Sequence, residues 1–129
     1  MSKLEILYYT DSNTQIIPSK IGRLTNLIEL DLSGNKIKQL PIEIGKLSNL
    51  KKLYFSTNEI FEIPSVIGGL PNLEELYLSN NKLKDLLIRI GDYSNLETIH
   101  LRDNFLTKDQ LIGIKMSLPK LRIFLPIIK

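Results

Sequence analysis

A repeat of 23 residues constrains this chain more than any other feature of its sequence. The stretch LSNLKKLYFSTNEIFEIPSVIGGL (residues 47–70) is matched by LTNLIELDLSGNKIKQLPIEIGKL 23 residues earlier and by LPNLEELYLSNNKLKDLLIRIGDY 23 residues later. A period of about 20 to 50 residues is typical of arrays whose units bury their apolar sides only against their neighbours. The sequence therefore predicts stacked coils. One asparagine marks the register in each coil, giving Asn35, Asn58, Asn81 and Asn104.

The repeated positions combine into the pattern LxxLxLxxNxLxxLPxxIGxL, which resembles the leucine-rich repeat family. The 23-residue period and the Ile-Gly pair look most like bacterial members, including those of spirochaetes. The resemblance covers nearly the whole chain. It implies an α/β fold, a right-handed solenoid with a parallel β-sheet on its concave face. It also implies short helical or 3₁₀ segments on the convex face and a C-terminal cap of one helix and one strand. We use "concave face" for the face of the sheet that points away from the buried leucines.

A structural role can be predicted for each residue type that recurs in the repeat. The two apolar residues of each LxL segment alternate with polar ones, which predicts a short strand with one buried face. The asparagine amides are expected to hydrogen-bond backbone groups of their own and the adjacent coil, forming an asparagine ladder. An extended corner before each convex segment is predicted from Pro18, Pro41 and Pro64. Turns with positive φ are predicted at Gly45, Gly68 and Gly91.

The chain of 129 residues is predicted to form one domain, 1–129, in three parts. Residues 1–23 are a degenerate first repeat, 24–106 carry the regular repeats, and 107–129 form a capping repeat. In this last part Thr107 and Gln110 match a capping box, which predicts a helix over 108–117. A final strand over 121–125 should follow in a unit of 25 residues. The first strand, Leu4–Tyr9, is predicted to have an unpaired edge.

Side chains that lie between the buried leucines are expected to form three columns on the concave face. The first column is Ile6, Glu29, Lys52, Glu75 and Thr98. The second column is Tyr8, Asp31, Tyr54, Tyr77 and His100. The third column is Thr10, Ser33, Ser56, Ser79 and Arg102.

The columns suggest a surface that contacts a protein partner. Tyrosine supplies a rigid contact area with a polar tip and is enriched in binding hot spots, although it is also simply a good strand former. The alternating charges of Glu29, Lys52 and Glu75 favour lateral pairing that keeps the sheet soluble, and they could also steer a partner. The predicted contact residues are Tyr8, Glu29, Asp31, Lys52, Tyr54, Glu75, Tyr77, His100 and Arg102.

The sequence carries no motif of a catalytic or cofactor-binding site. HExxH, the P-loop and GxGxxG are all missing from it. Glu29 and Asp31 lie on one face, but an exposed sheet would not separate their pKa values as hydrolysis requires. The single histidine, His100, has no cysteine or second histidine with which to bind a metal, so it is interpreted as a contact residue. We predict no enzyme, no cofactor and no metal site.

Composition narrows the possible partners and location. The net charge is +3 and the charges are interspersed, whereas a nucleic-acid binder would show a basic stripe. No apolar stretch is long enough to span a membrane. The N-terminal residues lack the apolar core of a Sec signal peptide, so a cytoplasmic location is the default prediction and secretion by another route stays open.

Two functions from different classes remain open. The first is a non-enzymatic module that binds a protein partner on the concave face; for bacterial members, the resemblance implies a role at a host interface or as a regulatory scaffold. The alternative is a self-assembling structural module, a homodimer that pairs through the edge strand Leu4–Tyr9. The sequence does not identify the partner.

Overall fold

The computed structural model describes residues 3–84, 95–117, 120 and 122–124. Within them a single parallel sheet contains one strand from each coil, and strands adjacent in the sequence are neighbours in the sheet. The strands are β1 (Ile6–Tyr8), β2 (Glu29–Asp31), β3 (Lys52–Tyr54), β4 (Glu75–Tyr77), β5 (Thr98–His100) and β6 (Arg122–Phe124). The predicted solenoid with a parallel sheet is confirmed. The single domain in three parts stays a prediction.

The register of the sheet follows the sequence period until the last coil. Leu53 pairs with Leu76, and Leu76 pairs with Ile99, so each step equals 23 residues. The last step differs, because Ile99 pairs with Ile123 and the register advances by 24 residues. The predicted 25-residue advance is therefore wrong by one residue at the final strand. Since side chains alternate between faces, this single residue decides which side chains of β6 reach the concave face.

The convex side of the first three coils carries 3₁₀ helices, as predicted. They span Ser19–Arg23, Ile42–Lys46 and Ser65–Ile67. Each follows a proline whose ψ is between 144° and 151°, which confirms the extended corners at Pro18 and its two equivalents. The pyrrolidine ring holds φ near −65°, so these corners are rigid. Leucines and isoleucines fill the space between the 3₁₀ helices and the sheet, with Phe55 as the bulkiest fully buried side chain.

The asparagines of the ladder join each coil to the preceding one. The Oδ1 atom of Asn58 accepts a hydrogen bond from the backbone N–H of Ile37 at 3.1 Å. Its Nδ2 atom donates to the carbonyl of Leu32 at 2.9 Å and to that of Phe55, in its own coil, at 3.2 Å. The same bonds to both coils recur at Asn35, Asn81 and Asn104.

A second series of asparagines, which was not predicted from the sequence, lies at the surface. Asn49 donates to the carbonyl of Thr25 at 3.0 Å, and Asn72 donates to that of Ser48 at 2.7 Å. Asn95 donates to the carbonyl of Pro71. The sequence does contain a pattern that predicts this series, because an asparagine recurs before the first leucine of each regular repeat at the same 23-residue spacing.

Gly45 of the Ile-Gly pair is required for a different reason from the predicted one. Gly68 has φ of −65°, and Gly45 also lacks a positive φ, so the predicted turn conformation is wrong for both; Gly91 lies outside the described residues. A Cβ atom on Gly45 would lie 2.9 Å from the Cβ of Val66 in the next coil. The close approach of adjacent coils excludes a side chain there. Among the described glycines, positive φ occurs at Gly34, with a value of 72°.

The C-terminal helix α1 spans Lys108–Ser117, which confirms the predicted bounds. Its capping box is complete, since the N–H of Thr107 donates to Oε1 of Gln110 and the N–H of Gln110 donates to Oγ1 of Thr107. Gln110 also donates to the carbonyl of Lys84 in the previous coil at 2.9 Å. Leu111 and Ile114 are buried against the core. The helix therefore covers this end of the described core, as expected of a cap.

Two glycine substitutions should change stability in opposite directions. Gly45→Ala should lower the free energy of unfolding by about 1–3 kcal/mol, because its methyl group overlaps Val66. Gly113→Ala should raise it by about 0.5–1 kcal/mol, because a Cβ at this position of α1 meets nothing within 4 Å and alanine favours the helix. Urea denaturation of both variants checks this. Equal effects of the same sign would contradict the close coil contact.

Candidate functional site

The strands place the predicted contact residues side by side on the concave face. Parallel register pairs Glu29 with Lys52 and Lys52 with Glu75 in the first column. In the second column it pairs Asp31 with Tyr54, Tyr54 with Tyr77, and Tyr77 with His100. Neighbouring strands are about 4.8 Å apart, which is close to the spacing of stacked aromatic rings. An unbroken parallel register therefore brings aromatic side chains of one column into contact.

Three rings of the second column and one further ring on β6 form a continuous aromatic stack, composed of Tyr54, Tyr77, His100 and Phe124. The ring centroids of Tyr54 and Tyr77 lie 4.4 Å apart, and those of Tyr77 and His100 lie 4.3 Å apart. His100 and Phe124 lie 4.2 Å apart with only 3° between their planes. Stacked aromatic pairs contribute about 0.5–1.5 kcal/mol beyond the area that they bury. The stack is thus an ordered row of rings before any partner arrives.

Phe124 is the member of this stack that the sequence analysis missed. A 25-residue last unit would have aligned His100 with Leu125, whereas the observed 24-residue advance aligns it with Phe124. The sequence did contain a signal, because apolar Leu121, Ile123 and Leu125 alternate with Arg122 and Phe124. Because side chains alternate between the two faces of a strand, Phe124 must point to the concave face if Ile123 points to the core.

Tyr8 stands apart from the aromatic stack because Asp31 interrupts the column. Its hydroxyl donates to Oε2 of Glu29 at 2.8 Å, which raises the pKa of the phenol. The Asp31 carboxylate turns back to accept the backbone N–H of Ser33 at 3.0 Å. Glu29 and Asp31 therefore bind different groups, so nothing in their arrangement supports a catalytic carboxylate pair.

The charges of the first column pair laterally. The Nζ atom of Lys52 lies 3.8 Å from Oε1 of Glu29 and 3.5 Å from Oε2 of Glu75. Oε1 of Glu75 also accepts the hydroxyl of Tyr77 at 2.7 Å, and this bond, followed by desolvation, raises the pKa of Tyr77. Such partly exposed pairs contribute about 0–1 kcal/mol each. The hydrogen bond from Tyr77 to Glu75 holds the tyrosine ring in one orientation.

His100 and the arginines beside it have a different environment. Desolvation lowers the pKa of His100, the charge of Arg102 lowers it further, and Glu75 opposes both effects. The imidazole is therefore neutral near pH 7 and stacks as an aromatic ring. Arg102 and Arg122 have exposed side chains, and neither forms an ion pair with a described residue.

Thr98 corrects the expectation that every column residue points into solvent. It pairs in register with Glu75 and Arg122, yet only 6% of its surface is exposed. A short side chain between two longer neighbours is covered by them. Its hydroxyl oxygen is buried without a hydrogen-bond partner among the described groups.

Other kinds of site find little support in the described part of the chain. Residues 3–84, 95–117, 120 and 122–124 contain no cluster of metal-ligating side chains. In the same residues, no helix has the length and apolar character needed to cross a membrane.

Residues 1–124 match the family model of a leucine-rich repeat region. The chain belongs to the leucine-rich repeat family. Its structure is similar to that of a leucine-rich repeat protein of the spirochaete Leptospira interrogans, with a TM-score of 0.83 and 36% sequence identity over 93% of this chain and 30% of that protein. The predicted bacterial family, including its likeness to spirochaete members, is confirmed. No curated protein sequence matches the chain.

Two internalins of Listeria monocytogenes are also similar to this leucine-rich repeat chain. Internalin F has a TM-score of 0.75 and 25% identity, and the match covers 98% of this chain and 36% of the internalin. Internalin C2 has a TM-score of 0.80 and 23% identity, covering 95% of this chain and 52% of that one, and shows the fold alone. The chain thus spans about a third to a half of these neighbours. The family and its internalin-like members support a protein-interaction module in general, of a kind that is typically non-enzymatic.

Proposed function

We propose that this leucine-rich repeat chain binds a protein partner on its concave face, at a host interface or as part of a regulatory scaffold. The observation that carries the proposal is the aromatic stack, Tyr54, Tyr77, His100 and Phe124. Tyrosine and other aromatic side chains dominate binding hot spots, and a row of them provides contact area across four coils.

Pre-organisation of the stack supports this role. Ordering a free side chain on binding costs about 0.5–1.5 kcal/mol, and these rings are already held by their neighbours. The hydrogen bond from Tyr77 to Glu75 fixes one ring further. Tyr54 and Tyr77 are only half-buried, so their edges remain available to a partner. A surface of this kind binds without rearrangement.

The test is a pull-down from host and bacterial lysates, followed by affinity measurement with the captured partner. The double variant Tyr54→Ala/Tyr77→Ala should weaken binding by about 1 kcal/mol or more for each ring. The matched control is Phe61→Ala/Phe105→Ala, which removes two exposed aromatic rings that lie outside the columns. Equal losses in both double variants would place the binding site elsewhere, and denaturation curves must show that both are folded.

A second candidate function is self-association through β1, which pairs only with β2 among the described strands. The bonds to β2 involve Glu5 and Tyr9, so the alternation of the strand directs the backbone groups of Ile6 and Tyr8 towards the open edge. Both side chains are exposed, at 49% and 61%. An apolar pocket of about 520 Å³, lined by Leu7 and residues of the first two coils, lies beside this edge. We propose antiparallel pairing of two copies, since that arrangement is two-fold symmetric.

Ile6→Pro should abolish this dimer, because proline removes an outward N–H without breaking a bond to β2. Ile42→Pro is the matched control, since it changes an exposed isoleucine at the start of a 3₁₀ helix, where proline is tolerated. Light scattering over a concentration series should show dimers for the parent and the control and monomers for Ile6→Pro. A parent chain that stays monomeric at high concentration would contradict the candidate.

A further inference from the structure

We propose that the partner segment is an acidic peptide that docks where Arg102 and Arg122 flank the stacked rings of His100 and Phe124. We call these four residues the arginine end of the concave face. The inference deepens the proposed function and rests on it. It concerns the chemistry of the partner, which the aromatic stack alone leaves open.

The first observation is an asymmetry in charge pairing along the concave face. The carboxylates towards the N-terminus are occupied, because Glu29 and Glu75 share Lys52 and each accepts a tyrosine hydroxyl. The Asp31 carboxylate accepts a backbone N–H. The two arginines have no such partners among the described residues. The positive charge at the arginine end is therefore available to an anionic partner.

The second observation is the relative position of the two arginines. Arg122 on β6 is in register with Thr98 on the neighbouring strand β5. Arg102 follows Thr98 by four residues in the direction of β5. At about 3.3 Å per residue and about 4.8 Å between strands, their Cα atoms are about 14 Å apart. Side chains four residues apart on one side of an extended peptide are separated by about 13 Å. Two carboxylates at that spacing can therefore each meet one guanidinium, which binds carboxylates through paired hydrogen bonds.

The third observation concerns the surface between the arginines. His100 and Phe124 are stacked within 3° of parallel, and 38% of Phe124 is exposed. Because desolvation favours neutral His100, this surface is aromatic rather than cationic at pH 7. The peptide should therefore carry an apolar or aromatic residue between its two acids. At the other end of the face, Glu29 and Asp31 would repel the acids and so fix the position of the peptide.

A nucleic acid is the other anionic macromolecule that arginines could attract, and the concave face does not favour it. Glu29, Asp31 and Glu75 lie along the same face, whereas nucleic-acid binding requires a continuous basic stripe. The phosphate backbone would meet these carboxylates as it left the arginine end.

The experiment selects binders from a displayed library of random 12-residue peptides against the full chain and measures their affinities by fluorescence anisotropy. We expect the selected peptides to carry Asp or Glu four residues apart around an apolar residue, and to bind more weakly as salt is added. The double reversal Arg102→Glu/Arg122→Glu should weaken them by about tenfold or more. Lys20→Glu/Lys115→Glu, which makes the same change in net charge at exposed residues of the 3₁₀ helix and α1, should leave affinity unchanged.

Several results would overturn the inference in distinguishable ways. Neutral or basic peptides that require Tyr54 and Tyr77 but tolerate the arginine reversal would contradict the acidic partner and leave the proposed function standing. Peptides that tolerate the tyrosine and the arginine variants alike would contradict both. A 12-nucleotide single-stranded RNA that displaces the acidic peptides at equal concentration would identify the site as one for nucleic acid. If the reversed variant fails to fold, Arg102→Gln/Arg122→Gln removes the charges with less perturbation and must still weaken binding.

Discussion

The hydrogen bonds of the asparagine ladder are the interaction on which the rest of this structure depends. Each asparagine satisfies backbone groups of two coils with one side chain, as Asn58 does for Ile37, Leu32 and Phe55. These groups are buried and would otherwise lack partners, at a cost of about 1–3 kcal/mol each. Because every asparagine reaches the coil before it, adjacent coils can stack in only one register. The sequence has a 23-residue period because each coil must place its asparagine at the same position relative to the coil before it.

The binding face follows from the register. When coils stack without slippage, a residue type that recurs in the sequence becomes a column on the sheet, and rings in one column stack at the strand spacing. Tyr54, Tyr77 and His100 illustrate this for the aromatic stack, and Lys52 illustrates it for charge, since it contacts acids on both sides. The coils that differ from the rest make the charge of this face asymmetric. Carboxylates lie towards one end, and at the other end lie two arginines that form no ion pair with a described residue.

Much of this arrangement could be predicted from the sequence, because the period fixes which residues are neighbours. What could not be predicted depends on distances between coils or on departures from the period. The need for Gly45 comes from the approach of Val66, which no local turn pattern reveals. Phe124 was missed because one residue of register decides the face on which a side chain lies. Thr98 is buried by its longer neighbours, an effect that alternation alone does not include.

The role of the asparagine ladder is tested most directly by comparing two asparagines of the same chain. Asn58→Ala and Asn49→Ala remove the same atoms, but Asn58 is buried in the ladder and Asn49 makes one exposed bond. We predict that Asn58→Ala lowers the free energy of unfolding by about 1–3 kcal/mol more than Asn49→Ala does. In Asn58→Ala the amide of Ile37 should also exchange its hydrogen faster, because it loses its acceptor. Equal unfolding free energies, with the Ile37 amide still protected, would contradict the claim that the ladder holds the coils in register.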